Sequence, residues 1–188
     1  MSSKHDRTAL LVMDVQAGIA DGFEGTGLLE RVASAVDGAR TAGIPVIFVK
    51  VEFRAGAPEL SLHNKMFAGL ADAGRVPTGV AFHPSVAPRD DEVVVTKRRV
   101  SAFAGSDLDV VLRAQGIGHL VLAGISTSGV VLSTLRQASD LDFGLVVLAD
   151  GCGDRDDEVH RVLTEKVFPR QARVIDVATW VGDLPAAR

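Results

Sequence analysis

The sequence predicts an α/β protein of three layers, with helices on both faces of an open, six-stranded, mostly parallel sheet of the Rossmann-like kind. Short, almost wholly apolar runs rich in valine, leucine and isoleucine recur along the chain, as strands covered on both faces require. Stretches of helical period separate most of them, the pattern of a doubly wound sheet. Size agrees: 188 residues and 19.8 kDa suit one domain over residues 1–188, and 47% hydrophobic residues supply a sizeable core.

The first strand is read at Ala9 to Asp14, where Leu10-Leu11-Val12-Met13 is closed by a carboxylate. A helix over Leu28 to Ala42 stops before Gly43, and a strand follows at Pro45 to Val51. Next come a helix over Glu59 to Ala71 and an irregular stretch from Gly74 to Pro88 that holds Pro77, Gly79, Pro84 and Pro88. Loops of that length are usually functional or disordered, and substrate selectivity is expected from this helix and this loop, lying over one end of the sheet. The third strand, Val93 to Thr96, runs into Lys97, and a helix over Asp107 to Gln115 is stopped by Gly116. The fourth strand, Leu120 to Ala123, ends at Gly124, after which Thr127 or Ser128 is expected to cap a helix over Gly129 to Asp140. A fifth strand at Leu145 to Ala149, a helix over Asp156 to Val167 and a sixth strand at Arg173 to Ile175 complete the order. Asp156, Asp157 and Glu158 suit the dipole at the start of that last helix and are assigned no chemistry, nor are His160 and Arg161 beside them.

Charge and composition exclude several functions. A formal net charge of -4 and a pI near 5.7, with no basic patch interleaved with aromatics, give no reason to expect nucleic acid or an anionic membrane as partner. Residues 1–7 are polar and lack the apolar segment of a signal peptide, and no run approaches the roughly 20 apolar residues of a membrane span. A cytoplasmic protein is expected. Cys152, the one cysteine, has no partner for an internal disulfide and fits a reducing compartment.

Three segments carry chemistry: a strand ending in Asp14, a strand ending in Lys97, and Gly124-Ile125-Ser126-Thr127-Ser128-Gly129-Val130 between strand and helix. In this order they resemble the isochorismatase-like hydrolases, the cysteine hydrolase superfamily of nicotinamidases, N-carbamoylsarcosine amidases and isochorismatases, over about Thr8 to Trp180. The resemblance implies that Asp14 matches the family's acid/base aspartate and Lys97 its lysine, and that Val130 occupies the place of its nucleophilic cysteine. In that family the peptide bond before the residue matching Ser126 is commonly cis, which makes Ile125–Ser126 the place to look for one. The family commonly assembles, so a homo-oligomer is implied as well.

Valine has neither a transferable proton nor a lone pair, so a thioester at position 130 is excluded. Cys152 is the substitute thiol to weigh, against the ordinary role of a lone cysteine as a small buried apolar side chain. The isochorismatases offer another precedent, for they resemble this chain in lacking the cysteine, with glycine in its place. They cleave a vinyl ether with a delivered proton and water. The resemblance thus implies Asp14 as general acid/base, Lys97 as its orienting cation, and the backbone around Ser126 and Val130 as the receiver of a substrate oxygen. Phe23, Arg54, Asn64, Ser101 and Phe103 are the candidate substrate-binding residues, Arg54 as a bidentate clamp on a carboxylate. No cofactor and no metal are expected, since Glu52-Phe53-Arg54 stands where some nicotinamidases carry Asp-x-His and His63 and His83 are scattered beyond. The alternative function is a non-catalytic relative that binds a small ligand or self-assembles.

Overall fold

A computed structural model describes residues 6–185; residues 1–5, on which the reading of the N-terminus rests, lie outside the described part. Its six strands are β1 (Arg7–Met13), β2 (Val46–Val51), β3 (Val93–Lys97), β4 (Ile117–Ile125), β5 (Gly144–Gly153) and β6 (Arg173–Ile175). They form one sheet in the order β3-β2-β1-β4-β5-β6, and every pairing is parallel. The chain starts at the centre, steps outward through β2 and β3, then crosses to β4 and steps outward the other way. The direction of winding reverses between β1 and β4, and the crevice beyond their carboxyl ends is where such sheets bind ligands.

Six helices flank the sheet: α1 (Leu28–Thr41), α2 (Lys65–Asp72), α3 (Leu108–Ala114), α4 (Leu132–Asp140), α5 (Asp157–Val162) and α6 (Val177–Gly182). Alternate residues of β1 point to opposite faces, as a strand dictates. Ala9, Leu11 and Met13 pack with Leu108 and Leu112 of α3 and Leu135 of α4, whereas Leu10 and Val12 pack with Leu29, Val32 and Val36 of α1 and Trp180 of α6. A smaller apolar cluster, Val51, Phe53 and Phe67 with Leu60, Leu70 and Val76 against it, sits over the end of β2 and anchors α2 there. Among the described residues no helix is long and apolar enough to cross a membrane.

Several boundaries differ from expectation for identifiable reasons. The helix expected from Glu59 begins only at Lys65, because the Asn64 side chain accepts from the Phe67 N–H at 3.4 Å and caps it there. The strand read at Leu120 to Ala123 extends to Ile117–Ile125, and the one read at Leu145 to Ala149 runs from Gly144 to Gly153, taking Cys152 into the sheet. The helix after β4 starts as a wide π-turn over Thr127–Val131, and no Thr127 or Ser128 side chain caps it. Instead the Thr127 hydroxyl meets His160 Nδ1 at 2.8 Å. The helix over Asp156 to Val167 divides into α5 and a second π-turn, Leu163–Val167. Helix α6, absent from the sequence reading, is capped by Asp176, whose carboxylate accepts from Thr179 N at 2.6 Å. Gly43 does end α1: its N–H reaches Arg40 O, and the next N–H, of Ile44, reaches Ala39 O, with Gly43 at φ +68°.

Candidate functional site

Beyond the carboxyl ends of β1 and β4 lies a cavity of about 580 Å³, within the range of small-molecule sites. Asp14, Lys97, Ser126 and Val130 all line it, with Phe23 in its wall. Asp14 follows β1 directly, its N–H bound to Val49 O at 2.8 Å and its backbone turned into the left-handed region at φ +56°. That conformation is strained for a residue with a Cβ, though aspartate tolerates it better than most. It turns the chain out of the sheet and leaves the carboxylate at the cavity floor.

Lys97 ends β3, two strands away from β1. In register it lies opposite Val51, whereas Met13 lies opposite Val49, so it stands slightly farther out than Asp14 along the strand direction. Its stem crosses the end of β2, and its ammonium meets Asp14 Oδ2 at 2.8 Å with the side chains only 2% and 9% exposed. Lys97 Nζ also donates to Arg99 O at 3.0 Å. The other carboxyl oxygen, Asp14 Oδ1, is buried with no hydrogen-bond partner among the described residues. Burial pushes the Asp14 carboxyl above the ordinary aspartate range, outweighing the downward pull of Lys97. A buried polar oxygen without a partner is costly, and this one belongs to a residue that lines an open cavity.

The opposite side is built from backbone. Gly124 has φ +143°, and a Cβ there would lie 2.1 Å from Met13 O, so only glycine lets β4 pass β1 this closely. The Ile125–Ser126 peptide bond is cis. Ser126 O then accepts from Gly129 N and Val131 N, both at 3.2 Å, and Asp154 Oδ2 accepts from Ser128 N at 2.7 Å. Burial raises the Asp154 carboxyl, but its hydrogen bonds from Ser128 and its own turn outweigh this and hold it below the usual range. Val130 is buried in the apolar core and lines the cavity, its side chain offering hydrocarbon alone.

Gln16, which the sequence reading overlooked, is fully buried and lines the same cavity. Its side-chain amide imitates a neighbouring strand: Oε1 accepts from Val51 N at 2.8 Å and Nε2 donates to Val51 O at 3.2 Å. This fixes the end of β2, over which Lys97 reaches. The cover comes from α2 and the long loop, with Met66, Phe67 and Leu70 from the one and Arg75, Val76 and Val80 from the other. The loop is tied to the chain after Asp14 by Ala17 N to Ala81 O at 3.0 Å and His83 N to Val15 O at 2.9 Å. Asp154 and Arg155, after β5, complete the rim.

Four expected substrate-binding residues do not line the cavity. Arg54 is ion-paired with Glu59 in a groove beside β3. Asn64 is spent as the cap of α2, and Ser101 Oγ bonds Gln137 Oε1 at 2.7 Å. Phe103 packs in the core, its ring 6.0 Å from that of Phe143. Each was engaged by a nearer partner that sequence order does not rank. Cys152 is buried, its Sγ 3.8 Å from Leu122 O, and burial pushes its thiol up to about 12, which removes it as the substitute nucleophile. Asp21, Glu24 and His83 do bring metal-type ligand atoms within 4.8 Å of one another. His83 Nδ1, however, accepts from Ser85 N, so the proton sits on Nε2, which faces Glu24 Oε1 at 3.2 Å as a hydrogen-bond donor.

Known proteins settle the lineage. Residues 8–179 match the isochorismatase domain model. The chain belongs to the isochorismatase family. It is 34% identical over 165 residues to the isochorismatase family protein YwoC of Bacillus subtilis, covering 87% of each chain. It is 32% identical over 211 residues to the ureidoacrylate amidohydrolase RutB of Stutzerimonas stutzeri, covering 97% of this chain and 80% of that one. Among solved structures, an isochorismatase family protein from Burkholderia thailandensis superposes with a TM-score of 0.81 at 28% identity, covering 94% and 95% of the two chains. The open parallel sheet with flanking helices is that family's fold, and its members include hydrolases.

Proposed function

We propose that this family member hydrolyses a small enol-ether or amide-like substrate by direct attack of water, with Asp14 moving the proton and Val130 standing where the family's cysteine would be. The observation that carries this reading is the buried Asp14–Lys97 pair at 2.8 Å, with Asp14 Oδ1 left free of partners beside an open cavity. A retained acid and cation beside a methyl-bearing wall suit proton transfer and leave out only the covalent step.

On an enol ether, the protonated Asp14 gives its proton to the enol carbon, and the electron pair of the C–O oxygen stabilises the resulting cation. Water adds to that cation and returns a proton to the Asp14 carboxylate, and the hemiketal collapses to a carbonyl compound and an alcohol. Burial shifts the Asp14 carboxyl upward, the direction that favours proton donation. Lys97 orients the carboxyl and holds the charge it acquires after transfer. On an amide the same carboxylate takes a proton from water and passes it to the leaving nitrogen, while the backbone around Ser126 and Val130 receives the carbonyl oxygen.

The test is a parallel assay of wild type, Asp14→Asn and Val130→Cys against small vinyl ethers and amides. Turnover by wild type that Asp14→Asn reduces about 10²- to 10⁴-fold is expected. Turnover indifferent to Asp14→Asn overturns the mechanism. Amidase activity found only in Val130→Cys shows a competent frame whose native role is ligand binding, the alternative reading.

A further inference from the structure

We infer that the cavity takes an organic carboxylate, held by its anionic end at the mouth between Arg75 and Arg155 while its apolar body reaches the floor. The proposal rests on the reading above only for which end reacts.

Charge distribution around the cavity carries the inference. Five ionisable side chains line it, three cationic and two anionic. Lys97 and Asp14 spend their charges on each other at the floor. Asp154 spends its carboxylate on the backbone N–H groups of Ser128 and Asp156. Arg75 and Arg155 remain. Both are exposed, and among the described residues neither guanidinium makes an ion pair or hydrogen bond. They come from different segments, Arg75 from the cover after α2 and Arg155 from the turn after β5. Every other arginine beside the neighbouring groove is engaged: Arg54 and Arg98 with the Glu59 carboxylate, Arg99 with the Glu59 carbonyl oxygen. Two exposed, unengaged forks among the lining residues are therefore a feature of this site.

Most of the remaining lining is apolar, with Ile19, Phe23, Val51, Phe67, Val100 and Val130 among it and Gln16, Thr78 and Ser126 as its polar side chains. An anion placed deep would meet the Asp14 carboxylate and lose hydration against hydrocarbon, both unfavourable. At the mouth it keeps its water on one side and meets planar donors shaped for a carboxylate. The Asp154 carboxylate on the same rim disfavours a second negative charge, which selects a carboxylate over a phosphate monoester. The body that follows the carboxylate inward is uncharged and largely apolar, and it presents its polar reacting group to the unpartnered Asp14 Oδ1.

Binding titrations with 3-phenylpropionate, 3-phenylpropanamide and phenyl phosphate test this without any need for turnover. Wild type is expected to bind the carboxylate roughly tenfold more tightly than the amide, the factor two exposed charge pairs supply, with the difference shrinking as salt is raised. The double variant Arg75→Ala/Arg155→Ala is expected to lose that preference while its affinity for the amide stays as in wild type, which also shows that the pocket is intact. Equal affinity for carboxylate and amide in wild type overturns the proposal. So does a preference that survives the double variant, or tighter binding of phenyl phosphate than of the carboxylate. Asp14→Asn is expected to keep the carboxylate preference, because the anion sits away from the floor; loss of the preference there overturns the assigned orientation. Wild type that shows the preference but no hydrolysis of any ether or amide sinks the catalytic reading alone, and hydrolysis without the preference sinks this one alone.

Discussion

The two halves of the site are made of different material. On the β1–β3 side, ionisable side chains are carried to strand ends and buried there in contact: Asp14 by a left-handed turn, Lys97 by reach across β2. On the β4–β5 side the ends supply backbone: a glycine that lets two strands touch, a cis bond, a wide turn and a valine. Burying an ammonium and a carboxylate is expensive unless each satisfies the other, whereas the side chain at position 130 is held by apolar packing alone. The first half must therefore keep both of its charged members or neither, a constraint that the apolar side chain at position 130 does not share.

The largest effect should come from breaking that dependence. Lys97→Met keeps the stem and deletes the charge, leaving Asp14 buried without its cation. Stability should fall by about 3–5 kcal/mol, the usual cost of removing one partner of a buried pair. The loss should grow with pH. Burial already raises the Asp14 value, and without Lys97 it rises further. A carboxyl with a folded value above its unfolded one stabilises the fold below the unfolded value, and that contribution disappears as pH rises through the folded value. Thermal melts of the variant should therefore lie closest to wild type in acid and diverge toward neutral pH. Parallel melting curves at every pH would mean that the two groups are not coupled.

How far sequence alone reached follows the same division. That Asp14 and Lys97 stand at strand ends was legible from the apolar runs before them, but only the family resemblance singled them out from a turn cap and a solvated lysine; both line the cavity. Position 130 was singled out by the same resemblance, and it too lines the cavity. Arg54, Asn64, Ser101 and Phe103 stand outside the cavity lining, because their surroundings depend on partners brought in by folding: Glu59, the start of α2, Gln137 and Phe143. Gln16 was missed although it stands two residues after Asp14, since nothing in the sequence says that its amide will pair with Val51. Helix α6 did carry a signal, Asp176 as a cap with Val177, Trp180 and Val181 at helical spacing, and its brevity concealed it. Arg75 lay in the loop expected to govern selectivity, but a loop's reach toward the site is set by contacts such as Ala17 to Ala81 that no local pattern encodes.

A middle-sized effect should come from the backbone half. Val130→Gly removes a buried side chain and places glycine in the first turn leading to α4, together costing about 2–4 kcal/mol. The same change opens the cavity wall beside Asp14. If Val130 restricts the substrate rather than joining the chemistry, bulkier vinyl ethers should gain in kcat/KM relative to small ones while dependence on Asp14 persists. An unchanged size preference would place the restriction elsewhere, with Phe67 and Leu70 of the cover next in line.

The smallest effect should be at Cys152, which separates a thiol that packs from one that reacts. Its Sγ lies in β5 against Leu122 O, and burial pushes its value up to about 12 from the 9.0 of a free thiol. The neutral thiol therefore dominates in the folded protein throughout the neutral range, and thiolate is what alkylating reagents attack. Cys152→Ala should keep turnover and lose about 1 kcal/mol, as for deletion of one small buried group. Native protein should react with iodoacetamide far more slowly than protein unfolded in urea at the same pH. Because the folded value is the higher one, the thiol's contribution to stability is present below about 9 and disappears as pH climbs toward 12. Rapid alkylation of the native protein that abolishes turnover would return the sulfur to the chemistry and remove the contrast between the two halves of the site.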